Sequence, residues 1–181
     1  MLYFITGNPG KFREVKAIIP AIEQINLDLD EIQTLDPKKL IAHKLAQAAK
    51  AVEGDIIVDD TSLRIEGLGG LPGTLIKWFE QALGIPGLAK TAIASGNPRA
   101  SSHVTIGYRS ASGDIHYFEA EYSGEIVEPN GTGGFGWDAI FKADGQATTN
   151  AHLTIDQKNA LSARGKAARL LAAHLKSAAS G

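Results

Sequence analysis

The sequence has no cysteine in 181 residues. That excludes disulfides, thiolate metal centres and a cysteine nucleophile together, and it fits a reducing compartment. It has no excess of either charge: 18 basic and 20 acidic residues leave a formal net charge of -2. A broad basic surface for nucleic acid is not expected from that balance. No run approaches the ~18 consecutive apolar residues of a membrane span. The opening stretch, Met1-Leu2-Tyr3-Phe4-Ile5-Thr6, has no basic residue before Lys11, so it reads as a first strand and not as a secretory signal. A disordered composition is missing too, since 44% of the residues are hydrophobic. The expectation is a soluble cytoplasmic protein, residues 1–181 in one domain, which at this size buries roughly 70% of its unfolded surface without staples.

What is present is an alternation of strand and helix patterns. Leu2–Thr6 is an apolar run that breaks at Gly7-Asn8-Pro9-Gly10. Phe12, Val15, Ile18 and Ile19 recur at helical spacing, and Pro20 ends that helix. Asn26–Asp30 alternates like a strand with one wet face. Asp36-Pro37 is a helix start; Ile41, Leu45, Ala48 and Val52 share a stripe, and Gly54 closes the element. Ile56-Ile57-Val58 reads as a buried strand ending at Asp59-Asp60. This succession predicts an α/β architecture. After a glycine-rich loop at 67–73, Leu75–Leu83 and Leu88–Ala94 read as helical, with the turn at 95–100 a candidate hinge between lobes. His103–Tyr108 and Ile115–Tyr122 form a hairpin pattern through Ser112-Gly113-Asp114. One last helix is expected from a Thr154/Gln157 capping box through Leu161, Ala168, Leu171 and Leu175, with the tail from Ser177 fraying.

Six segments have residue types that chemistry uses. Thr6-Gly7-Asn8-Pro9-Gly10-Lys11 stands between a strand and a helix, where backbone amides and a lysine bind phosphate oxygens; an ordinary turn has the same look, and Phe12 after Lys11 rules out a Walker A loop. Asp59-Asp60 places two carboxylates on opposite sides of an extended chain, so they take different tasks unless they only cap a turn. Glu31, beside Asp28 and Asp30, is a solvated acid unless it joins Asp60 to hold magnesium, which takes one or two carboxylates plus phosphates. Lys44 falls beside the apolar stripe of its helix and must snorkel or meet an anion. Phe135-Gly136-Trp137-Asp138 offers flat aromatic faces and an acceptor for a ring N–H, or it simply feeds the core. Lys158 and Ser162 share a face at i, i+4, whereas Arg164 lies well round the helix; cations in a first helical turn oppose the dipole, which weakens a purely solvated role.

In this order, over nearly the whole chain, these segments resemble the inosine triphosphate pyrophosphatase family. Gly69-Gly70-Leu71-Pro72-Gly73 and Ile76-Lys77-Trp78-Phe79 add to the likeness. The resemblance implies a two-lobed α/β fold around a long mixed sheet, a homodimer, and a site in the cleft. It implies hydrolysis of a nucleoside triphosphate to the monophosphate and pyrophosphate, with no nucleic-acid or membrane partner. By the same likeness Thr6, Gly7, Asn8, Pro9, Gly10 and Lys11 hold the triphosphate with Lys44 and Thr61. Glu31 and Asp60 hold magnesium, or manganese. Asp60 and Lys11 are catalytic, and Asp59 is the alternative acceptor of the water's proton. Phe135, Gly136, Trp137, Asp138, Lys158, Ser162, Ala163 and Arg164 meet the base. The family pattern often reads Ser-His-Arg where this chain has Ser162-Ala163-Arg164. Alanine cannot donate to a 6-keto oxygen, which leaves Arg164 for that task. ITP, dITP and XTP are expected over ATP. A pyrophosphatase for another nucleotide such as dUTP, a nucleotide-binding module without turnover and a kinase-like phosphotransferase are the competing classes; the last is disfavoured by the missing Walker A pattern.

Overall fold

The computed structural model describes residues 1–178. Strand β1 (Leu2–Ile5) ends where the sequence turns polar. Asn8 caps helix α1 (Pro9–Ile18), accepting from the Gly10 and Lys11 N–H groups at 2.8 and 3.1 Å. Pro9 takes the first helical position, where no N–H is needed. The helix thus starts ahead of Phe12, where the apolar pattern begins.

The strand expected at Asn26–Asp30 lies earlier in the chain. Strand β2 is Glu23–Ile25, parallel to β1, and residues 26–36 have no regular structure. The alternation there serves packing on a helix instead of sheet pairing. Leu27 and Leu29 pack against the core under helix α2 (Pro37–Ala51). The Asp30 N–H and carbonyl are satisfied by the Gln47 side chain of that helix at 3.0 and 2.9 Å.

Asp36 caps α2, whose buried face is Leu40, Ile41, Lys44, Leu45 and Ala48. Beneath it the sheet presents Gly107, where a Cβ would collide with Ile41 and Leu45. The missing side chain lets α2 sit close, and Lys44 comes down onto the sheet with it.

Strand β3 (Asp55–Ile65) is longer than its apolar core suggests, so Asp59 and Asp60 lie mid-strand and not at its end. They pair with Ile106 and Thr105 of strand β5 (Arg99–Arg109). Strand β6 (Ile115–Ile126) continues the hairpin along the whole of β5. Strand β7 (Phe141–Ala143) pairs with the end of β6, and the short strand β4 (Pro72–Gly73) pairs with Leu63 and Arg64. The order is β2-β1-β3-β5-β6-β7, parallel among the first three strands and antiparallel beyond. This is the mixed sheet the resemblance implied.

The two lobes share β3, β5 and β6. At one end, α1 and helix α5 (Ala163–Ala178) cover Phe4, Ile57, Val104 and Ile106 on one face, while α2 covers Ile56 and Val58 on the other. At the far end, helix α3 (Ile76–Ala94) packs on Leu63, Ile65, Ile126 and Phe141. Gly84, at φ 65°, kinks α3 ahead of Pro86 into the two helical stretches that the sequence suggested. The 95–100 turn is not a hinge: Asn97 accepts from the Gly67 N–H at 3.0 Å, and continuous strands join the lobes.

The last helix is two. Helix α4 (Ile155–Leu161) begins at the expected Thr154/Gln157 capping box, but Ser162 is extended, with φ -69° and ψ 157°. Its hydroxyl accepts from the Gly165 N–H at 3.2 Å and starts α5 afresh. The i, i+4 relation between Lys158 and Ser162 holds up to the corner, where the Ser162 N–H donates to the Lys158 carbonyl at 2.8 Å, and the corner swings Arg164 toward the side Lys158 faces. Helix α5 runs through Ala178 instead of fraying from Ser177; the rest of the expected tail, 179–181, lies outside the described residues.

The corner depends on Gly165, because a Cβ there would be driven into the Asn159 carbonyl oxygen. Backbone cannot swing aside as a side chain can. Gly165→Ala is expected to destabilise the fold by about 2–3 kcal/mol, the upper part of the overpacking range, read as a lower urea midpoint at unchanged m-value.

Candidate active site

A cleft of about 460 Å3 lies between the lobes, within the range of small-molecule sites at ~300–1,000 Å3. Its walls come from the loop before α1, the segment before α2, the middle of β3, the first part of α3, the 135–138 turn and the α4–α5 corner. Of the residues singled out from sequence, Thr6, Gly7, Asn8, Lys11, Glu31, Lys44, Asp60 and Thr61 line it, as do Phe135 through Asp138, Lys158 and Ser162 through Arg164. Pro9 and Gly10 do not. Pro9 is inside α1, and Gly10 is packed under the Phe135 ring, where a Cβ would overlap it.

The loop before α1 is folded by its own side chains. Thr6 accepts from the Asn8 N–H at 3.1 Å, and the Asn8 carboxamide takes the Gly10 and Lys11 N–H groups. With those amides engaged, the loop's pull on an anion is concentrated in Lys11. Its ammonium reaches Asp59 Oδ1 at 2.9 Å.

Adjacent residues of a strand face opposite ways, and the two aspartates follow that rule. Asp59 turns to the α1–α5 side, where Lys11 takes one oxygen and Arg164 Nε the other at 3.0 Å. Burial pushes its carboxyl up, but Lys11, Arg164 and Lys44 outweigh burial and hold it well below the usual carboxylate range. Asp60 turns to the α2 side and is also buried, yet its one side-chain hydrogen bond is from the Ser62 hydroxyl at 3.1 Å, and no ion pair reaches it among the described residues. Burial raises its pKa; Lys11 and Lys44 oppose that and Asp59 adds to it. One aspartate is thus locked as an anion, and its neighbour is a carboxyl without a cation.

Lys44 meets an anion and does not snorkel. It is 8% exposed and donates to Glu31 Oε1 at 3.2 Å and to the Asp59 carbonyl at 2.9 Å. Lys77 takes the other Glu31 oxygen at 3.2 Å. Burial would raise the Glu31 carboxyl, but the two lysines hold it below its ordinary value. Glu31 and Asp60 therefore reach one cleft from different elements. No group of three or more His, Cys, Asp or Glu placed to hold a metal occurs among the described residues. Two carboxylates plus phosphate oxygens are nonetheless a donor set that suits a hard divalent cation, and the unpaired Asp60 is where its charge is wanted.

Behind the 135–138 turn stands a buried group that sequence reading missed. Glu14 of α1 is 3% exposed. One oxygen accepts from Lys158 at 2.7 Å and the other from Arg164. Arg164 also donates to the Thr61 hydroxyl at 2.6 Å, and burial against it is outweighed by Asp59 and Glu14, which raise its pKa. Lys158 also reaches Asp138 Oδ2 at 2.5 Å, and the same oxygen accepts from the Phe135 N–H at 2.8 Å. The Phe135 ring lies 4.3 Å from the Lys158 ammonium, a cation–π contact that fixes its face. Six charges alternate in one chain: Lys11, Asp59, Arg164, Glu14, Lys158, Asp138. The available signal for Glu14 was its place four residues after Gly10 and next to Val15, on the side of α1 that the apolar stripe buries. Other wall residues that sequence reading left out are Thr74, Glu80, Ser102 and Tyr122, while Lys77 is named only within the likeness at 76–79. Ala163 packs into the core and gives the wall only a methyl group.

The Ham1 family model matches residues 2–174. The inosine triphosphate pyrophosphatase of Neurospora crassa is 44% identical over 169 residues, 91% of this chain and 86% of its own. That of Schizosaccharomyces pombe is 37% identical over 180 residues, 97% and 95% of the two chains. Among solved structures, a HAM1 protein from Coxiella burnetii superposes with a TM-score of 0.82 at 26% identity, covering 97% of this chain and 98% of that one.

Two outcomes are expected from the charges alone. Removing Glu14 leaves two buried cations uncompensated, so Glu14→Ala should cost roughly 3–5 kcal/mol in urea unfolding. Asp60 works the other way. Its folded pKa lies above the ordinary 3.8, so between these values the unfolded chain gives up a proton that the fold retains, and stability is lost as pH rises. Asp60→Asn should therefore raise the thermal midpoint of the ligand-free protein at pH 7, and the gain should disappear below pH 3.8, where both states are protonated.

Proposed function

The chain belongs to the Ham1 family, and from that premise we propose that it hydrolyses non-canonical purine nucleoside triphosphates, ITP, dITP and XTP, to the monophosphate and pyrophosphate. The single observation that supports this most is the joining of a lysine-bearing loop and an acceptor-bearing aromatic turn across one cleft by a continuous chain of ion pairs. A polyanion fits one end and a flat ring with an N–H fits the other.

The reaction adds water to the α-phosphorus and breaks its bond to the bridging oxygen, with pyrophosphate leaving and a proton released. Charge neutralisation and positioning are the tasks for the protein. Lys11 and Lys44 supply cations at the phosphate end, where one such pair at 4 Å gives about 4 kcal/mol at an effective dielectric of 20. Glu31 and Asp60 would hold magnesium or manganese, which when bound supplies further neutralisation of the phosphate oxygens. Asp60 is the better acceptor for the proton of the attacking water. Both Asp59 oxygens are committed to cations, whereas Asp60 keeps an oxygen free of any hydrogen bond or ion pair.

At the other end, Asp138 is held as an acceptor by Lys158 and the Phe135 N–H through one oxygen. A purine with a 6-keto group has a proton on N1 to offer it; adenine has a bare acceptor there. Two acceptors facing each other lose ~1–3 kcal/mol, roughly tenfold per 1.4. Three of the five Arg164 N–H groups are spent on Asp59, Glu14 and Thr61. A keto oxygen must therefore be met by the remaining Arg164 N–H groups or by the free Lys158 proton. No described helix is long and apolar enough to cross a membrane. The family resemblance extends the reading to a homodimer acting in the cytoplasm.

The test is a nucleotide panel with magnesium and product identification. ITP and XTP should give monophosphate and pyrophosphate, with kcat/KM at least about tenfold above ATP; equal values for ITP and ATP would defeat the base selection. Asp60→Asn should lower turnover by about 10²-fold or more with circular dichroism unchanged, and near-normal turnover would remove Asp60 from the mechanism.

A further inference from the structure

Helix α3 brings one acid to the cleft that the reaction above leaves without a task. Glu80 stands on the wall with Lys11, Gly136 and Trp137. It has no hydrogen bond or ion pair with any described residue, and its Oε1 is shut off from solvent without a partner. A Cβ built on Gly136 would come to 3.3 Å from that oxygen, so the carboxyl lies against the backbone of the aromatic turn. Burial pushes its pKa up, with Lys11 opposing and Asp138 adding. A buried acceptor left unpaired is an unfavourable arrangement that a ligand donor relieves.

The place of Glu80 limits what that donor is. Lys11 marks the phosphate end of the cleft and Asp138 the base end, and Glu80 feels both charges. Phosphate oxygens carry no donor and repel a carboxylate. The base N–H already has Asp138. What a nucleotide presents between these ends is its sugar, and the sugar's 2′- and 3′-hydroxyls are donors. An acidic side chain receiving a ribose hydroxyl is the arrangement that dinucleotide sites use.

We propose that Glu80 is a specificity-determining residue that accepts hydrogen bonds from the sugar hydroxyls of the bound nucleotide, so that the cleft reads the sugar as well as the base. The inference rests on the nucleotide reading of the cleft. It assigns Glu80 neither to the metal nor to the proton transfer, and its signature is a substrate ratio: removing Glu80 lowers kcat/KM for a substrate with sugar hydroxyls and leaves that for a substrate without them as it is.

The experiment measures kcat/KM for ITP, dITP and 2′,3′-dideoxy-ITP with the wild type, Glu80→Ala and Glu80→Gln. Wild-type protein should prefer ITP to the dideoxy substrate by about tenfold or more, the worth of one charge-assisted bond. Glu80→Ala should bring that ratio to about one, and Glu80→Gln, which keeps the shape and an uncharged acceptor, should lower it only partly. The ratio is internal to each variant, so a general loss of activity does not imitate the effect, and the glutamine variant serves if the alanine variant does not fold. Wild-type protein that cleaves all three substrates with a ratio neither variant lowers overturns this inference alone. Wild-type protein that cleaves none of them overturns the nucleotide reading and this inference with it.

Discussion

Arg164 is held by three groups from two other elements, and the cleft takes its shape from that grip. Asp59 and Thr61 come from β3, and Glu14 comes from α1. A guanidinium presents its donors in a rigid planar fork, so satisfying it fixes how α1, β3 and the start of α5 sit together. Through Asp59 the same grip reaches Lys11, and through Glu14 it reaches Lys158 and Asp138. The proposed phosphate end and base end of the cleft are therefore set by one body of alternating charge. Buried ion pairs are weak contributors to net stability because desolvation offsets their attraction. Their use here is geometric: each charge has partners in defined directions, and apolar packing would not fix the distance between two sub-sites so narrowly.

That grip requires the corner at Ser162. A single helix from Thr154 onward would send Lys158 and Arg164 to different sides, six residues and more than one turn apart. The extended Ser162, its hydroxyl on the Gly165 N–H, and the bare α-carbon of Gly165 against the Asn159 carbonyl together redirect the chain. Arg169 secures the same corner from the next turn, donating to the Asn159 carbonyl at 2.6 Å. Gly107 does comparable work under α2, where its missing side chain allows the helix to bring Lys44 down to the Asp59 carbonyl. In both places a residue without a side chain lets an ion reach its partner.

Local chemistry was the part legible in the sequence. Asp36 and Thr154 cap helices as their neighbours announce, and the hairpin through Gly113 closes with residues 109 and 115 paired. Lys44 was marked by an apolar stripe that has no place for a free ammonium. What the sequence left unread are facts of tertiary contact. Leu27 and Leu29 alternate as a strand does, yet they pack on α2, because the edge of β2 was already formed by Glu23–Ile25. Asp59-Asp60 looked like a strand end because charges in mid-strand are unfavourable unless met, and the cations that meet Asp59 come from 48 and 105 residues away. Glu14 was hidden for the same reason: its partners lie on α4 and α5, at the other end of the chain.

The difference between the two aspartates follows from the pleat of β3 alone. Side chains at successive positions leave a strand on opposite faces, so a shift of one residue in register would exchange their surroundings. On the α1–α5 face Lys11 and Arg164 meet the Asp59 carboxylate and, with Lys44 of α2 acting across the strand, make it a fixed anion. On the α2 face Asp60 accepts from the Ser62 hydroxyl and has no ion pair with any described residue, the nearby Lys44 being bound to Glu31 and to the Asp59 carbonyl. Desolvation without compensation raises a carboxyl's affinity for protons and equally for any other cation. The member of the pair proposed to react is thus the one the fold stabilises less. A site that paired Asp60 as fully as Asp59 would have both its oxygens engaged and would leave Glu31 without a free carboxyl beside it.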